Sequence, residues 1–199
     1  MTAKNTRQQL TRALQERRLM RFHRRFEDGW VNGYVVGIGP VFLMLCEVSD
    51  HVRFNGFGCY RLGDVKNLQP APYPEFIEAA LEKRGEVFPE TPAVALNSAS
   101  DILVTAGRLY GVVTVHAAAD TPEACHIGAI VSVEGGVVWM QDIGPDAAWE
   151  AQPTARRLAT VTRIDFGGGY ETALALVGGP PPEPVLRERA PLRLVADNG

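Results

Sequence analysis

Five arginines crowd a short stretch near the start of the chain: Arg17, Arg18, Arg21, Arg24 and Arg25, with Phe22 and His23 among them. A guanidinium forks onto phosphate oxygens, and arginine and aromatic side chains stack on bases, so this set could hold RNA or DNA. Alternation over residues 19–27 divides the set between two faces. Met20, Phe22 and Phe26 share one, Arg21, His23 and Arg25 the other, and Arg24 interrupts the apolar row. The same residues also suit a solvated strand face whose arginine stems cover apolar surface. His116, Cys125 and His126 flank one expected hairpin and carry zinc-ligand chemistry, but a zinc site needs three or four ligands and no fourth is in view. No metal is therefore expected. Cys46 and Cys59 fall in apolar runs and read as inert core thiols.

Other chemistry is thin. Gly167-Gly168-Gly169 lacks the Lys-Ser/Thr of a phosphate-binding loop and reads as a release from strand to helix, with Tyr170 packing back. Asp142, Asp146 and Glu150 read as acidic turn residues around Pro145. The common hydrolase and metalloprotease signatures do not occur. The expectation is a non-catalytic chain with no cofactor and no evident small-molecule substrate.

The elements that must carry these residues come from a repeat. Asn32-Gly33-Tyr34-Val35-Val36-Gly37-Ile38 opens a run ending in Tyr60-Arg61-Leu62-Gly63-Asp64-Val65. His126-Ile127-Gly128-Ala129-Ile130-Val131 opens a second, ending in Arg156-Arg157-Leu158-Ala159-Thr160-Val161. Gly33 and Gly128 are 95 residues apart, Val65 and Val161 96. A register held that closely implies two copies of one β-rich module. Phe54 and Trp149 occupy equivalent positions and read as plugs of the core or an interface.

The first copy reads as a helix over 6–17 entered by Thr6-Arg7-Gln8-Gln9, then strands at 19–27, 31–38, 41–48, 57–61 and 65–69, with a hairpin turn at Asn55-Gly56. A helix at 75–83 closes it. The second copy repeats this with a helix at 98–109, strands at 112–118, 126–133, 136–143, 154–158 and 161–166, and a helix at 170–177. The domains are then 1–83, a linker at 84–97, 98–179 and a flexible tail at 180–199.

Apolar residues make up 46% of the 199, which permits a packed core, and the net charge of −3 argues against a general polyanion binder. Charge is uneven. Residues 1–30 hold eight Lys/Arg against three Asp/Glu, and residues 101–171 hold four Arg against nine acids, which suits solvated faces or a contact between unlike ends. Three cysteines imply no disulfide framework, and no apolar run reaches bilayer length. A cytoplasmic protein is expected.

A helix followed by five short strands, with a tight turn between the fourth and fifth, resembles the Sm-like family of Hfq/LSm type. Ala13-Leu14-Gln15-Glu16-Arg17-Arg18 is similar to the end of that family's leading helix. Val31-Asn32-Gly33 is similar to the start of its second strand and Val41-Phe42-Leu43-Met44-Leu45 to its third. Tyr60-Arg61 resembles the aromatic-basic pair on its fourth. The likeness covers about residues 8–70 and, through the repeat, 100–166. It implies a mainly β fold with short helices (α+β): two tandem five-stranded Sm-like, SH3-like barrels, each with a leading and a trailing helix. It also adds Tyr60 and Arg61 to the nucleic-acid candidates. The family's Asp between strands two and three has no counterpart in Ile38-Gly39-Pro40-Val41, its His after the aromatic-basic pair is Leu62, and Ala155 precedes Arg156 in the second copy. Its RNA-contacting set is thus incomplete, and a pseudo-dimer of barrels replaces a ring of identical subunits. The functional expectation is a protein-binding or self-associating scaffold, with RNA or DNA binding as the alternative and no membrane partner.

Overall fold

Side chains that alternate between apolar and polar demand a sheet with one face covered, and here one sheet serves both copies of the repeat. The structure is a computed structural model that describes residues 3–25, 29–117 and 125–182. Helix α1 (Ala3–Gln15) precedes strands β1 (Leu19–Arg24), β2 (Trp30–Ile38), β3 (Phe42–Val48), β4 (Phe54–Arg61) and β5 (Val65–Pro70), and helix α2 (Pro74–Lys83) ends the first unit. Helix α3 (Ala99–Tyr110), strands β6 (Val113–His116), β7 (Cys125–Glu134), β8 (Val137–Asp142), β9 (Thr154–Arg157) and β10 (Arg163–Phe166), and helix α4 (Gly169–Gly178) form the second.

The ten strands lie in the order β5-β1-β2-β3-β4-β10-β6-β7-β8-β9, with every pairing antiparallel. Adding five to each label of the first half gives the second, so the repeat is one of topology. Finer features repeat too. The β2–β3 register slips between Val35 and Gly37, and the β7–β8 register between Ile130 and Ser132, 95 residues on. A 3-10 turn joins β4 to β5 (Leu62–Asp64) and β9 to β10 (Leu158–Thr160). Gly33 and Gly128 occupy matching positions where a Cβ would collide with the carbonyl oxygen of the next strand, Cys46 and Gln141 respectively. Close backbone approach, rather than φ, explains why the motif carries glycine in both copies.

Two closed barrels do not form; the sheet is open. The strand that would have to close the first unit, β4, pairs with β10 of the second instead. Leu19, Tyr34, Phe42, Met44, Cys59, Ile102, Leu103, Val113, Ile164 and Phe166 belong to one buried cluster that runs through both units. Helix α3 supplies Ile102, Leu103 and Ala106 to it, and Ser98 caps that helix by accepting from the Asp101 N–H at 3.1 Å. Residues 86–96 have no regular structure, yet they form a strap. Phe88, Val94 and Leu96 pack on the shared core, and Glu86 pairs with Arg53 at 2.8 Å.

Three local expectations need correction. The helix begins at Ala3, ahead of Thr6. Asn55-Gly56 is not the hairpin turn. That turn falls at 49–53, where Ser49 and Arg53 bond through N–H to carbonyl and Val52 has φ 53°. Gly56 keeps a positive φ of 75° inside β4, next to a register slip, and Asn55 caps α4 by accepting from the Gly169 N–H at 3.1 Å. Tyr170 is exposed, and Tyr110 is the ring that packs on Gly167. The expected strand ends at 25–27 and 117–118 and most of the tail, residues 183–199, lie outside the described residues wholly or in part. No described helix is long and apolar enough to cross a membrane.

Candidate functional site

The seam between the units gathers ionisable groups from four strands. Register sets Tyr60 of β4 against Arg163 of β10, and Arg163 against His116 of β6. Asp165 stands two residues along β10, and Glu47 reaches in from β3. The Tyr60 hydroxyl donates to Glu47 Oε1, which also takes Arg163 Nη2 at 3.4 Å. Arg163 Nε donates to Asp165 Oδ1 at 2.6 Å, and His116 Nε2 lies 2.9 Å from Asp165 Oδ2. The Arg163 guanidinium sits over the Tyr60 ring, 5.0 Å from its centre. Gly58 makes the space, since a Cβ there would collide with Glu47 Oε1 and the Tyr60 ring.

Burial decides the protonation states. It pushes the Glu47 carboxyl up to about 7, against the pull of Arg163 and with help from Asp165. It pushes the Tyr60 phenol well above its ordinary range. For Asp165 burial pushes upward too, but Arg163 and His116 outweigh it and hold the carboxylate below its usual range. Arg163 stays charged because Asp165, Tyr60 and Glu47 overcome the cost of burial. The seam therefore carries a fixed Arg163–Asp165 ion pair beside a carboxyl that titrates near neutrality.

Two adjoining clefts open beside it. One, of about 470 Å³, is walled by Arg21, Trp30, Val52, Pro72, Tyr73, Phe76 and Ile77. The other, of about 280 Å³, reaches Asn32, Glu47, Ser49, Asp50, Tyr60 and Arg163. They share Gly29, Trp30, Asn32, Val48, Ser49 and Asp50.

The residues singled out for nucleic acid are scattered by this arrangement. Arg24 is buried, with its guanidinium donating to Thr162 Oγ1 at 3.1 Å and lying 5.7 Å from the centre of the Tyr60 ring. Tyr60 is buried beneath it. Arg61 clasps the second unit, donating to the carbonyls of Ala159 at 3.0 Å and Val161 at 2.5 Å. Arg21 stacks on Trp30, 4.1 Å from the ring centre, and His23 lies 3.6 Å from the same ring. Arg17 lies over Phe88 at 4.6 Å, Arg18 pairs with Glu16 at 2.7 Å, and Arg25 is exposed. Arg24, Tyr60 and Arg61 thus converge on the seam, Arg21 on the cleft, and Arg17, Arg18 and Arg25 on open surface.

His116 and Cys125 stand opposite each other on β6 and β7, while His126 points elsewhere in the alternation. Among the described residues no group of three or more His, Cys, Asp or Glu could hold a metal ion. Burial pushes the Cys125 thiol up, away from the thiolate a nucleophile requires. Glu47, Arg163 and Asp165 went unremarked in the sequence. Their signal was a charged residue inside each of two short apolar strands, Leu-Cys-Glu-Val and Arg-Ile-Asp-Phe. Trp149 packs with Ile143 and Leu174 and donates Nε1–H to the Gly178 carbonyl at 3.1 Å, and Phe54 packs on Tyr34 and Phe88, so both plug the core.

No protein-family model, curated protein or solved structure matches this chain.

Proposed function

We propose that the chain is a non-catalytic protein-binding scaffold whose β9 edge takes an extended, acidic segment of a partner by strand addition. The carrying observation is the seam itself. β4 of the first unit accepts a neighbouring strand, while its repeat counterpart β9 is left at the edge of the sheet. Leu158 donates its N–H to the Gly136 carbonyl at 2.9 Å, and Arg156 stands opposite Val138. Antiparallel alternation then turns the N–H groups of Ala155 and Arg157 outward, as those of Cys59 and Arg61 are turned toward β10. Arg157 is exposed, while Arg156 is neutralised against Asp142 at 2.6 Å, so the edge's positive charge is that of Arg157. Main-chain bonds would supply affinity and Arg157 a preference for acidic side chains.

The other free edge, β5, is poorly suited to be that partner. If copies joined head to tail in the seam's register, Pro153 would meet Pro70 where Phe57 meets Phe166, leaving a rung without an N–H donor. Arg156 and Arg157 would come up against Lys66, and Asn67 puts a left-handed kink (φ 51°) in the edge. Prolines, lysines and bulges are the usual means of blunting an edge. The reading is therefore of a scaffold that receives a different chain. Titrating a fluorescein-labelled peptide of alternating Glu and Val with the protein tests it. Anisotropy should rise, and Ala155→Pro should weaken binding about tenfold or more while leaving the circular dichroism spectrum unchanged, since one lost edge bond plus a clash costs over 1.4 kcal/mol. Equal binding by both proteins would sink the reading.

A further inference from the structure

We propose that the two adjoining clefts form one binding site for a small organic cation with an apolar body, its charged head against Glu47 and Asp50 and its body against Tyr73, Phe76 and Ile77. Shape comes first. Together the clefts have the size of a small-molecule site, and six shared residues make them continuous. Their two ends differ in chemistry. The larger end is walled by side chains that a monomer ordinarily covers. Phe76, on the first turn of α2, is 68% exposed and Tyr73, the residue that caps that helix, 78%, beside Ile77, Val52 and Pro72.

The smaller end ends on acids. Glu47 Oε1 is engaged by Tyr60 and Arg163, but among the described residues nothing hydrogen-bonds its second oxygen, although the side chain is only 15% exposed. That oxygen is not a buried orphan, so on a residue that lines the cleft it is accessible to a donor from outside the protein. Asp50 lines the same end, and Asn32 and Ser49 complete its polar wall. Arg163 lines this end too, but it is one cation shared between Asp165 at 2.6 Å and Glu47 at 3.4 Å, so with Asp50 the end keeps an excess of carboxylates. Arg21 lines the apolar end and not the acidic one. The partner these acids complement is a donor carrying positive charge, such as an ammonium or amidinium group. An amidinium would give one N–H to the open Glu47 oxygen and another to Asp50, and an attached ring would reach the aromatic wall.

The site is distinct from the β9 edge, so its failure leaves the strand-addition reading standing and the reverse. The probe is benzamidine, with neutral benzamide as its near-isostere, followed by calorimetry and by chemical-shift changes at Trp30 Nε1–H. Benzamidine should bind at pH 8 and shift that signal, and benzamide should bind at least tenfold more weakly. Glu47→Gln, checked for folding by its melting curve, should lose at least tenfold for benzamidine. Phe76→Ala, a surface change that leaves the seam intact, should lose several-fold. Between pH 8 and pH 6 affinity should fall about tenfold as Glu47 takes its proton. The charged and titratable groups facing it are Tyr60, Arg163, Asp165, Glu171 and Asp50, and His116 faces Asp165 one step away. No benzamidine binding at 10 mM (on the order of the weakest useful affinity), equal binding of benzamide, or full binding by Glu47→Gln would each overturn the proposal.

Discussion

Glu47 makes the pH dependence of folding a direct reading of the seam. Its carboxyl titrates at about 7 in the folded chain and near 4.5 when free. A raised carboxyl binds a proton in the native state that the unfolded chain has released. Stability from this group is therefore full below pH 4.5, falls as pH rises, and is lost once pH passes 7. Two and a half pH units at 1.36 kcal/mol each give an upper bound of about 3 kcal/mol. Asp165 works in the opposite sense and in another window. Its folded-state value is lowered, so its contribution is lost only as pH falls below the usual aspartate range. His126, lowered chiefly by burial, adds stability as pH rises toward 6.5 and so opposes Glu47. A difference between two proteins removes that overlap. Urea unfolding of wild type and Glu47→Gln at pH 5 and pH 8 should show the variant gaining on wild type by about 2–3 kcal/mol over that interval. Parallel pH profiles would refute the argument, because they would mean that Glu47 stays ionised or reaches solvent freely.

Three further outcomes follow from the same geometry. Gly58→Ala places a methyl group against Glu47 Oε1 and the Tyr60 ring, and should cost about 1–3 kcal/mol in denaturant melts, whereas Gly63→Ala, which meets open space, should cost far less. Arg61→Ala removes both bonds to the Ala159 and Val161 carbonyls and should cost about 1–3 kcal/mol, read by the same melts. Arg157→Glu reverses the charge that a head-to-tail contact would set near Lys66, and should raise the apparent mass in sedimentation equilibrium relative to wild type.

The repeat makes the succession of elements along the chain legible because its spacing survives in bulges, 3-10 turns and the paired glycines at 33 and 128. Period and punctuation locate elements, and both act over a few residues. What they cannot carry is partnership between distant strands. Asn55-Gly56 has the local chemistry of a hairpin, but its amide caps a helix 114 residues away and its glycine yields to the backbone of residues 166–168. Closure failed for the same reason, since β4 finds β10 rather than its own unit's last strand. The candidate site followed suit. Tyr60 and Arg61 were visible as a pair, yet Glu47, Arg163 and Asp165 acquire meaning only when the seam brings four strands side by side.

The most direct test of the scaffold is amide hydrogen exchange along β9, measured residue by residue with and without the acidic strand peptide. The N–H groups of Ala155 and Arg157 should exchange quickly in the free protein and become protected when the peptide binds. Arg156, bonded inward to β8, should be slow in both states. Binding that leaves Ala155 and Arg157 as exposed as before would place the partner elsewhere and contradict strand addition at this edge.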